Sequence, residues 1–318
     1  MDSIVLTSLL PVVFLIAIGF IACHAGWMRA EATKDLGRLV FMVLTPALLF
    51  RTMSTVHVEQ LDFKPVVAYF AAVIAMFLVM LAWGKATQRA SVLALAATFS
   101  NTVAIGIPLI GLAYGEAGMV TLFTIVSLHA LVVLTLATIA LELAVVRQAA
   151  HSMATPNTAK AHWQRPVLDA LRNGILHPVP LPIIVGLMFA QTDWVMPVVL
   201  DRPLQLLGNA MGPMSLLLVG ATLATARIGA QLKGAFGLAL LKNLLLPALV
   251  AAVGLMLGLH GLPLTVMVVT ASLPIGANVF MFSQRYNVAE ELVTASVAVS
   301  TALAILSVSL VMALAEHL

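Results

Sequence analysis

The segment SNTVAIGIP, residues 100–108, lies in the middle of an apolar run that extends from about residue 90 to residue 111. A proline inside a helix removes one backbone donor and crowds the carbonyl four residues earlier, and Gly106 loosens the same turn. We therefore expect a membrane-length helix that breaks near its centre. A break at this depth must be buried by protein or must border a water-filled cavity, which Asn101 and Thr102 could line. An ordinary proline kink, repaired by neighbouring helices, is the alternative.

The composition is far more apolar than that of a soluble domain. Apolar residues make up 62% of the 318 residues and charged residues 9%, against about 45–50% and about 25% in soluble proteins. This balance indicates an integral membrane protein without a separate soluble domain. Cys23 is the single cysteine, so one chain offers no internal disulfide and no cysteine metal site. We expect no metal site, no nucleic-acid partner, and no cofactor other than a coupling ion, H⁺ or Na⁺.

Apolar runs of membrane length recur along the whole chain. With about 18–20 apolar residues per span, the sequence predicts ten spans, near residues 4–23, 37–53, 65–83, 90–112, 117–146, 176–192, 204–226, 238–259, 263–284 and 290–315. The first run follows Asp2 and no basic residue, so we interpret it as a retained span rather than a signal sequence.

Basic residues divide unevenly between the loops on the two sides of this arrangement. Twelve Lys or Arg residues fall in loops on one side, and three, Arg51, Lys64 and Arg202, fall on the other. Loops rich in Lys and Arg stay in the cytoplasm. We therefore expect a multi-pass protein of the inner (plasma) membrane, with both termini outside and the polar connector in the cytoplasm.

The two groups of five spans resemble copies of each other. Four pairs of Pro or Gly share a separation of 166 or 167 residues: Pro11 and Pro178, Pro46 and Pro213, Pro108 and Pro274, and Gly19 and Gly186. An odd number of spans in each copy inverts the second copy relative to the first. The expected division is a first repeat at 1–146, a cytoplasmic connector at 147–175 and an inverted repeat at 176–318.

The counterpart of the first segment is ASLPIGANVF, residues 271–280, in the ninth span. Spans four and nine would run in opposite directions, so their broken helices would cross at mid-membrane. Each break directs the N-terminus of a half-helix, with its positive dipole end, towards the other. Such a place favours an anion. Asn101 and Asn278 can both donate and accept hydrogen bonds there, so they could hold a carboxylate or coordinate a cation through their carbonyl oxygens. Amides that only pack helices together are the alternative for both residues.

The candidate substrate site gathers polar and helix-breaking residues from four spans. They are Asn101, Thr102, Gly106 and Pro108; Ser272, Pro274, Gly276 and Asn278; Thr45 and Pro46; and Asn209 and Pro213.

Two ionisable residues inside spans have two interpretations each. Lys242, near the cytoplasmic end of span eight, either extends its ammonium to the membrane surface or lies near an anion path. His129, in span five, is either a hydrogen-bonded packing residue or a proton relay. The small hydroxyl residues of span ten, Ser300 among them, are interpreted as allowing close helix packing.

Several short pieces resemble a known family, the auxin efflux carriers of plants and bacteria, within the larger group that shares the bile-acid/sodium symporter fold. The pieces are LTPALLF (44–50), SNT (100–102) with GIP (106–108), Pro213 with LLLVGA (216–221), KN (242–243) with Pro247, and LP (273–274) with ANVF (277–280) and RY (285–286). They extend over most of the chain. The short connector resembles that of the bacterial members, which include proposed malonate carriers.

The resemblance implies a fold and a function. It implies ten transmembrane helices in two inverted repeats, with a mobile transport domain of crossed helices and a scaffold domain. It also implies transport of small organic anions. On this basis we expect a homodimer formed through the scaffold helices, with the lipid bilayer and the anion as the other partners.

Several kinds of membrane protein remain open. A secondary carrier of an auxin-like or malonate-like carboxylate, working by alternating access, fits the paired breaks best. A sodium symporter of the bile-acid type is an alternative, although no Asp or Glu falls in span four or nine. An anion channel could share the broken helices, and a sensor would need a signalling domain. An enzyme is not expected, because no Ser/His/Asp set, His-Glu-x-x-His run or pair of intramembrane carboxylates occurs.

Overall fold

The computed structural model describes residues 4–56, 62–152, 180–192, 194–225 and 229–315. All regular secondary structure in these residues is helical. Helical segments long and apolar enough to cross a membrane are Glu31–Met53, Lys64–Trp83, Thr102–Val145, Val198–Thr225, Leu232–Met256 and Glu290–Ala315, and shorter apolar helices are Leu9–His24, Leu181–Ala190 and Gly261–Ser272. The predicted all-α membrane protein is therefore confirmed. The predicted connector lies mostly outside the described residues.

Each predicted span contains helix, and predicted spans two, four, eight and nine are divided into shorter helical segments. In chain order the α-helices are α1 (Ile4–His24), α2 (Ala30–Leu39), α3 (Thr45–Met53), α4 (Lys64–Trp83), α5 (Gln88–Thr98), α6 (Ile107–Ser152), α7 (Pro180–Ala190), α8 (Val198–Thr225), α9 (Leu232–Leu240), α10 (Leu246–Met256), α11 (Gly261–Ser272), α12 (Asn278–Tyr286) and α13 (Glu290–Ala315). Short π-helices precede α3, α6 and α10, at Val40–Leu44, Thr102–Gly106 and Leu241–Leu245 respectively.

Each of these π-helices leads directly into an α-helix with proline at its second position. The prolines are Pro46, Pro108 and Pro247. Proline has no N–H and displaces the carbonyl four residues earlier, so the backbone widens to hydrogen bonds over five residues. The N–H of Ile107, for example, donates to the carbonyl of Thr102.

The predicted break at Pro108 is therefore wrong in position. Pro108 lies inside α6, where widening of the preceding turn absorbs its missing N–H. The chain leaves the helical conformation earlier, after α5 ends at Thr98, and becomes helical again at Thr102.

Helix α6 is too long for a single crossing of a bilayer. Its 46 residues would extend about 69 Å at 1.5 Å per residue, whereas the hydrocarbon core is about 30 Å thick. Gly115 interrupts it with φ 59° and ψ −153°, a conformation that glycine adopts readily because it lacks Cβ. The interruption falls between the predicted end of span four at residue 112 and the predicted start of span five at residue 117.

The helices pack in two groups. Helices α1, α2, α3, α7 and α8 contact one another and form the first group. Helices α4, α5, α6 and α9 to α13 form the second group, which contains both breaks. Contacts between the groups are made chiefly by α1, α7 and α8 with α6 and the π-helix before it.

Close helix contacts at glycine hold the first group together. A Cβ built on Gly19 of α1 would lie 1.9 Å from the carbonyl oxygen of Leu217 in α8, and one built on Gly186 of α7 would lie 2.7 Å from that of Phe50 in α3. Gly186 follows Gly19 by 167 residues, and Leu217 follows Phe50 by the same 167. The same contact therefore occurs twice at the spacing found in the sequence, in both cases because glycine lets two backbones approach.

We predict that Gly19→Ala destabilises the protein. The new methyl group would overlap the Leu217 backbone, and overpacking of this kind costs about 1–3 kcal/mol or more. Gly37→Ala is the matched control, because no atom lies within 4 Å of a Cβ at Gly37 in α2. Thermal unfolding of the purified protein in detergent should show a lower midpoint for Gly19→Ala alone. Equal midpoints for both variants would contradict the close α1–α8 contact.

Candidate functional site

The two breaks meet through their backbones. Ser100 and Ile275 form an antiparallel bridge. The N–H of Asn101 donates to the carbonyl of Pro274 at 2.8 Å, and the N–H of Gly276 donates to the carbonyl of Phe99 at 3.0 Å. We call residues 99–101 and 274–276 the crossing. Its centre is fixed by main-chain hydrogen bonds, as in a minimal β-ladder.

The residues that pair at the crossing differ from those predicted by sequence spacing. Ser100 and Ile275 are 175 residues apart, whereas the predicted pairing of Pro108 with Pro274 uses a separation of 166. Pro108 and Pro274 do not meet at the crossing, because Pro274 belongs to the non-helical segment while Pro108 lies within α6. Among the described residues, the separation of 167 recurs in the glycine contacts of the first group.

One side of the crossing is closely packed and the other is open. Ser100 and Ile275 are fully buried. A Cβ on Gly276 would lie 2.8 Å from the Phe99 ring, so the packed side has no room for a larger residue. Asn101 and Asn278 are half-buried and Ala277 is exposed. We call Asn101, Ala277 and Asn278 the open edge of the crossing.

Lys242 caps the end of α11. Its side chain is fully buried, and Nζ donates to the carbonyls of Ala271 and Leu273, both at 2.6 Å. The last carbonyls of a helix have no partner within the helix and carry its negative dipole end, which a lysine side chain complements. Lys242 therefore does not extend to the membrane surface, and that interpretation of it is wrong.

His129 and Ser300 bind the two central N–H groups of the crossing. The N–H of Ser100 donates to Nε2 of His129 in α6 at 3.1 Å. The N–H of Ile275 donates to Oγ of Ser300 in α13, also at 3.1 Å. Nδ2 of Asn243 in turn donates to the carbonyl of Ser300 at 2.9 Å. Ser300 was missed by the sequence reasoning because a serine in an apolar helix gives no signal that separates a backbone anchor from a packing residue.

Ser215 of α8 joins the first group to the crossing. Its hydroxyl lies 2.9 Å from the carbonyl oxygen of Ala104 and 2.9 Å from that of Gly212 in its own helix, so its one hydrogen is shared between the two acceptors. Ala104 lies four residues before Pro108, so its carbonyl loses the helical donor that another residue at 108 would provide. A hydroxyl from a neighbouring helix satisfies such a carbonyl within a membrane.

Apart from Gly106 in the π-helix and Pro108 in α6, the predicted site residues of spans four and nine lie within two residues of the crossing. Asn101 Oδ1 accepts the N–H of Ala104 at 3.3 Å and so caps its own π-helix. Ser272 Oγ donates to the carbonyl of Val269 within α11. The remaining members of this set are Thr102, Gly106 and Pro108, and Pro274, Gly276 and Asn278.

The other four predicted residues lie in the first group. Thr45 and Pro46 belong to α3, where the Thr45 hydroxyl donates to the carbonyl of Val40. Asn209 and Pro213 belong to α8 and are exposed. Within the described ranges, no three His, Cys, Asp or Glu residues lie close enough together to hold a metal ion.

Comparison with known proteins adds independent information. Residues 4–312 match a family model described as "Membrane transport protein". The chain is 26% identical over 316 residues to a Rhizobium meliloti (strain 1021) protein named "Putative malonate transporter", with 94% of this chain and 92% of that protein covered. It is 22% identical over 338 residues to "Auxin efflux carrier component 8" of Arabidopsis thaliana, with 92% of each chain covered.

We predict that Lys242→Met destabilises the crossing. The change leaves the carbonyls of Ala271 and Leu273 buried without a donor, at a cost of about 1–3 kcal/mol for each unsatisfied group. Lys233→Met in α9 is the control, because Lys233 is exposed. The thermal unfolding midpoint should fall for Lys242→Met and stay near the wild-type value for Lys233→Met. An unchanged midpoint for Lys242→Met would show that the cap contributes nothing.

We also predict that Ser300→Ala speeds hydrogen exchange at Ile275. Loss of the Oγ acceptor frees the Ile275 N–H, and one hydrogen bond of average strength corresponds to about tenfold in exchange rate. Ser296→Ala is the matched control, because Ser296 is also buried in α13 but donates only to the carbonyl of Leu292. Mass spectrometry of a peptide that covers residues 274–276 measures the difference. Equal exchange in the two variants would contradict the role of Ser300 as the acceptor of the Ile275 N–H.

Proposed function

The chain belongs to the membrane transport protein family, the family of the auxin efflux carriers, and from this premise we propose that it carries a small organic anion across the membrane by alternating access. The observation that carries the proposal is the crossing. The π-helix at Thr102 and helix α12 at Asn278 both begin there. Their N-termini present the positive ends of two helix dipoles to the open edge.

The charges around the crossing favour an anionic substrate. No Asp or Glu occurs in α5, α11 or α12, or in the π-helix before α6. Lys242 supplies a buried basic group that bonds the carbonyl of Leu273, directly before the crossing. The amides of Asn101 and Asn278 would donate hydrogen bonds to a carboxylate, as charge-assisted bonds of this kind are stronger than neutral ones.

The proposed architecture has ten spans in two inverted repeats. Counting α6 as two crossings separated at Gly115, the longer and shorter apolar helices add up to this number. The recurring glycine contacts of the first group and the paired anchors His129 and Ser300 support an internal two-fold relation. In this proposal the second group is the moving transport domain. The first group is the scaffold, through which two copies form a homodimer.

The named relatives guide the choice of substrate. One is named for malonate and the other for auxin, and both are carboxylates. We therefore propose a small mono- or dicarboxylate. Transport driven by the membrane potential or by protons is favoured, because moving one negative charge outward across an inside-negative membrane releases about 2.3 kcal/mol per 100 mV. The proposed location is the inner (plasma) membrane, with both termini outside and the connector in the cytoplasm.

Transport in proteoliposomes tests the proposal. Purified protein should move labelled malonate or an indole carboxylate at a rate that saturates with concentration. Asn278→Ala should reduce this rate about tenfold or more, since a charged hydrogen bond contributes about 1.5–3 kcal/mol. Gln284→Ala is the control, because Gln284 is an exposed amide of the same helix. Wild-type transport by Asn278→Ala would exclude the open edge as the substrate site.

Asn101 needs two variants because its side chain also caps the π-helix. Asn101→Ala removes both the cap and the amide donor, whereas Asn101→Ser keeps an oxygen suited to an N-cap. Both variants should lose transport, while Asn101→Ser keeps a thermal unfolding midpoint close to wild type. Full transport by Asn101→Ser would show that Asn101 caps the helix and does not bind substrate. Single-channel currents in place of saturable transport would identify a channel.

A further inference from the structure

We propose that His129 is a positioning residue, held in the Nδ1-protonated form so that its Nε2 fixes the backbone N–H of Ser100 at the centre of the crossing. The effect on transport rests on the function proposed above, whereas the protonation pattern of the ring does not. This assignment replaces the proton relay with a fixed anchor.

The hydrogen bonds around His129 determine which nitrogen carries the proton. The N–H of Ser100 can only donate, so Nε2, 3.1 Å away, must accept with its lone pair. In the neutral imidazole the other nitrogen then bears the hydrogen. Nδ1 faces Oη of Tyr69 at 3.4 Å, so this N–H points to the tyrosine oxygen.

Tyr69 contacts both His129 and the side chain of Ser100. With Oη accepting from His129, its own hydrogen is free for Oγ of Ser100, also 3.4 Å away. Both contacts of Tyr69 are longer than the 3.1 Å bond from Ser100 to His129. The backbone bond is thus the strongest of the three, and it alone is enough to determine the protonation of the ring.

Aromatic rings prevent His129 from turning away. Its side chain is 1% exposed. The ring centroids of Phe99, Tyr69 and Phe70 lie 4.7, 5.8 and 6.5 Å from that of His129. A proton relay would have to release the Ser100 N–H and present Nε2 to another group, and this packing leaves no space for that rotation.

The hydrogen bond from Ser100 to His129 affects the position of Asn101 at the open edge, because one peptide unit joins Ser100 to Asn101. Ser100 directly precedes Asn101, and the N–H of Asn101 bonds the carbonyl of Pro274. In the other segment of the crossing, Oγ of Ser300 in α13 accepts the N–H of Ile275 in the same way. Loss of the His129 acceptor would leave the Ser100 N–H unsatisfied and buried, so residues 100–101 would shift to find another partner. The amide of Asn101 would move with them.

Solid-state NMR of the unliganded protein in lipid bilayers tests the protonation directly. The chain is labelled with ¹⁵N-histidine, and the His129 signals are those that disappear in His129→Gln. We expect a protonated Nδ1 and an unprotonated Nε2. A protonated Nε2, alone or together with Nδ1, would overturn the proposal, whether or not the protein transports a carboxylate.

Two amide substitutions test the positioning role. Gln can place its oxygen near the position of Nε2, whereas Asn reaches only to Nδ1. His129→Asn should raise the KM for the carboxylate about tenfold or more, as expected for loss of one buried hydrogen bond, while His129→Gln restores it to near wild type. Thr124→Val is the control, because Thr124 is buried in α6 and donates only to the carbonyl of Val120. A wild-type KM in His129→Asn, or equal losses in the Asn and Gln variants, would overturn the role.

Hydrogen exchange in residues 99–102 separates this proposal from the proposed function. If the wild-type protein moves none of the tested carboxylates, the function proposed above fails, but the anchor still predicts faster exchange in His129→Asn than in His129→Gln. Equal exchange in these two variants would overturn the anchor independently of transport.

Discussion

The main-chain hydrogen bonds that join residues 99–101 to residues 274–276 are the constraint on which the rest of the structure depends. A non-helical backbone at the depth of a membrane is stable only where every polar group finds a partner. Here the two segments supply partners to each other, and side chains and neighbouring backbone groups bind others of their polar groups. His129, Ser300, Lys242 and Ser215 each bond a backbone atom at or near the crossing. They come from four different helices, so much of the protein takes part in holding these few residues.

The sequence predicted the larger features correctly because they depend on composition and local pattern. The apolar runs gave the helices, and Gly115 lies where spans four and five were expected to separate. The exact place of the break could not be predicted, because it depends on the bridge between Ser100 and Ile275, which are far apart in sequence. Lys242 was ambiguous for the same reason. Its distance from the end of a span does not show whether carbonyls lie within its reach.

A hydrogen bond from α8 to the segment after the crossing links the two groups of helices, and it depends on the missing N–H of a proline. Pro108 removes a donor from its own helix, and the carbonyl that it leaves receives the hydroxyl of Ser215. A rearrangement of one group relative to the other would have to exchange this bond for another. The glycine contacts of α1 with α8 and of α3 with α7 pack the helices of the first group closely, so this group would keep its shape during such a rearrangement.

The π-helices also change which way the later part of each span faces. An α-helix turns by about 100° per residue, and a π-turn accommodates one additional residue, so the helix beyond it is rotated by about this angle relative to an uninterrupted one. A helical wheel drawn through all of residues 31–53 or 232–256 therefore misplaces the residues after Pro46 or Pro247. The lipid-facing and protein-facing surfaces of these spans have to be assigned separately before and after the proline.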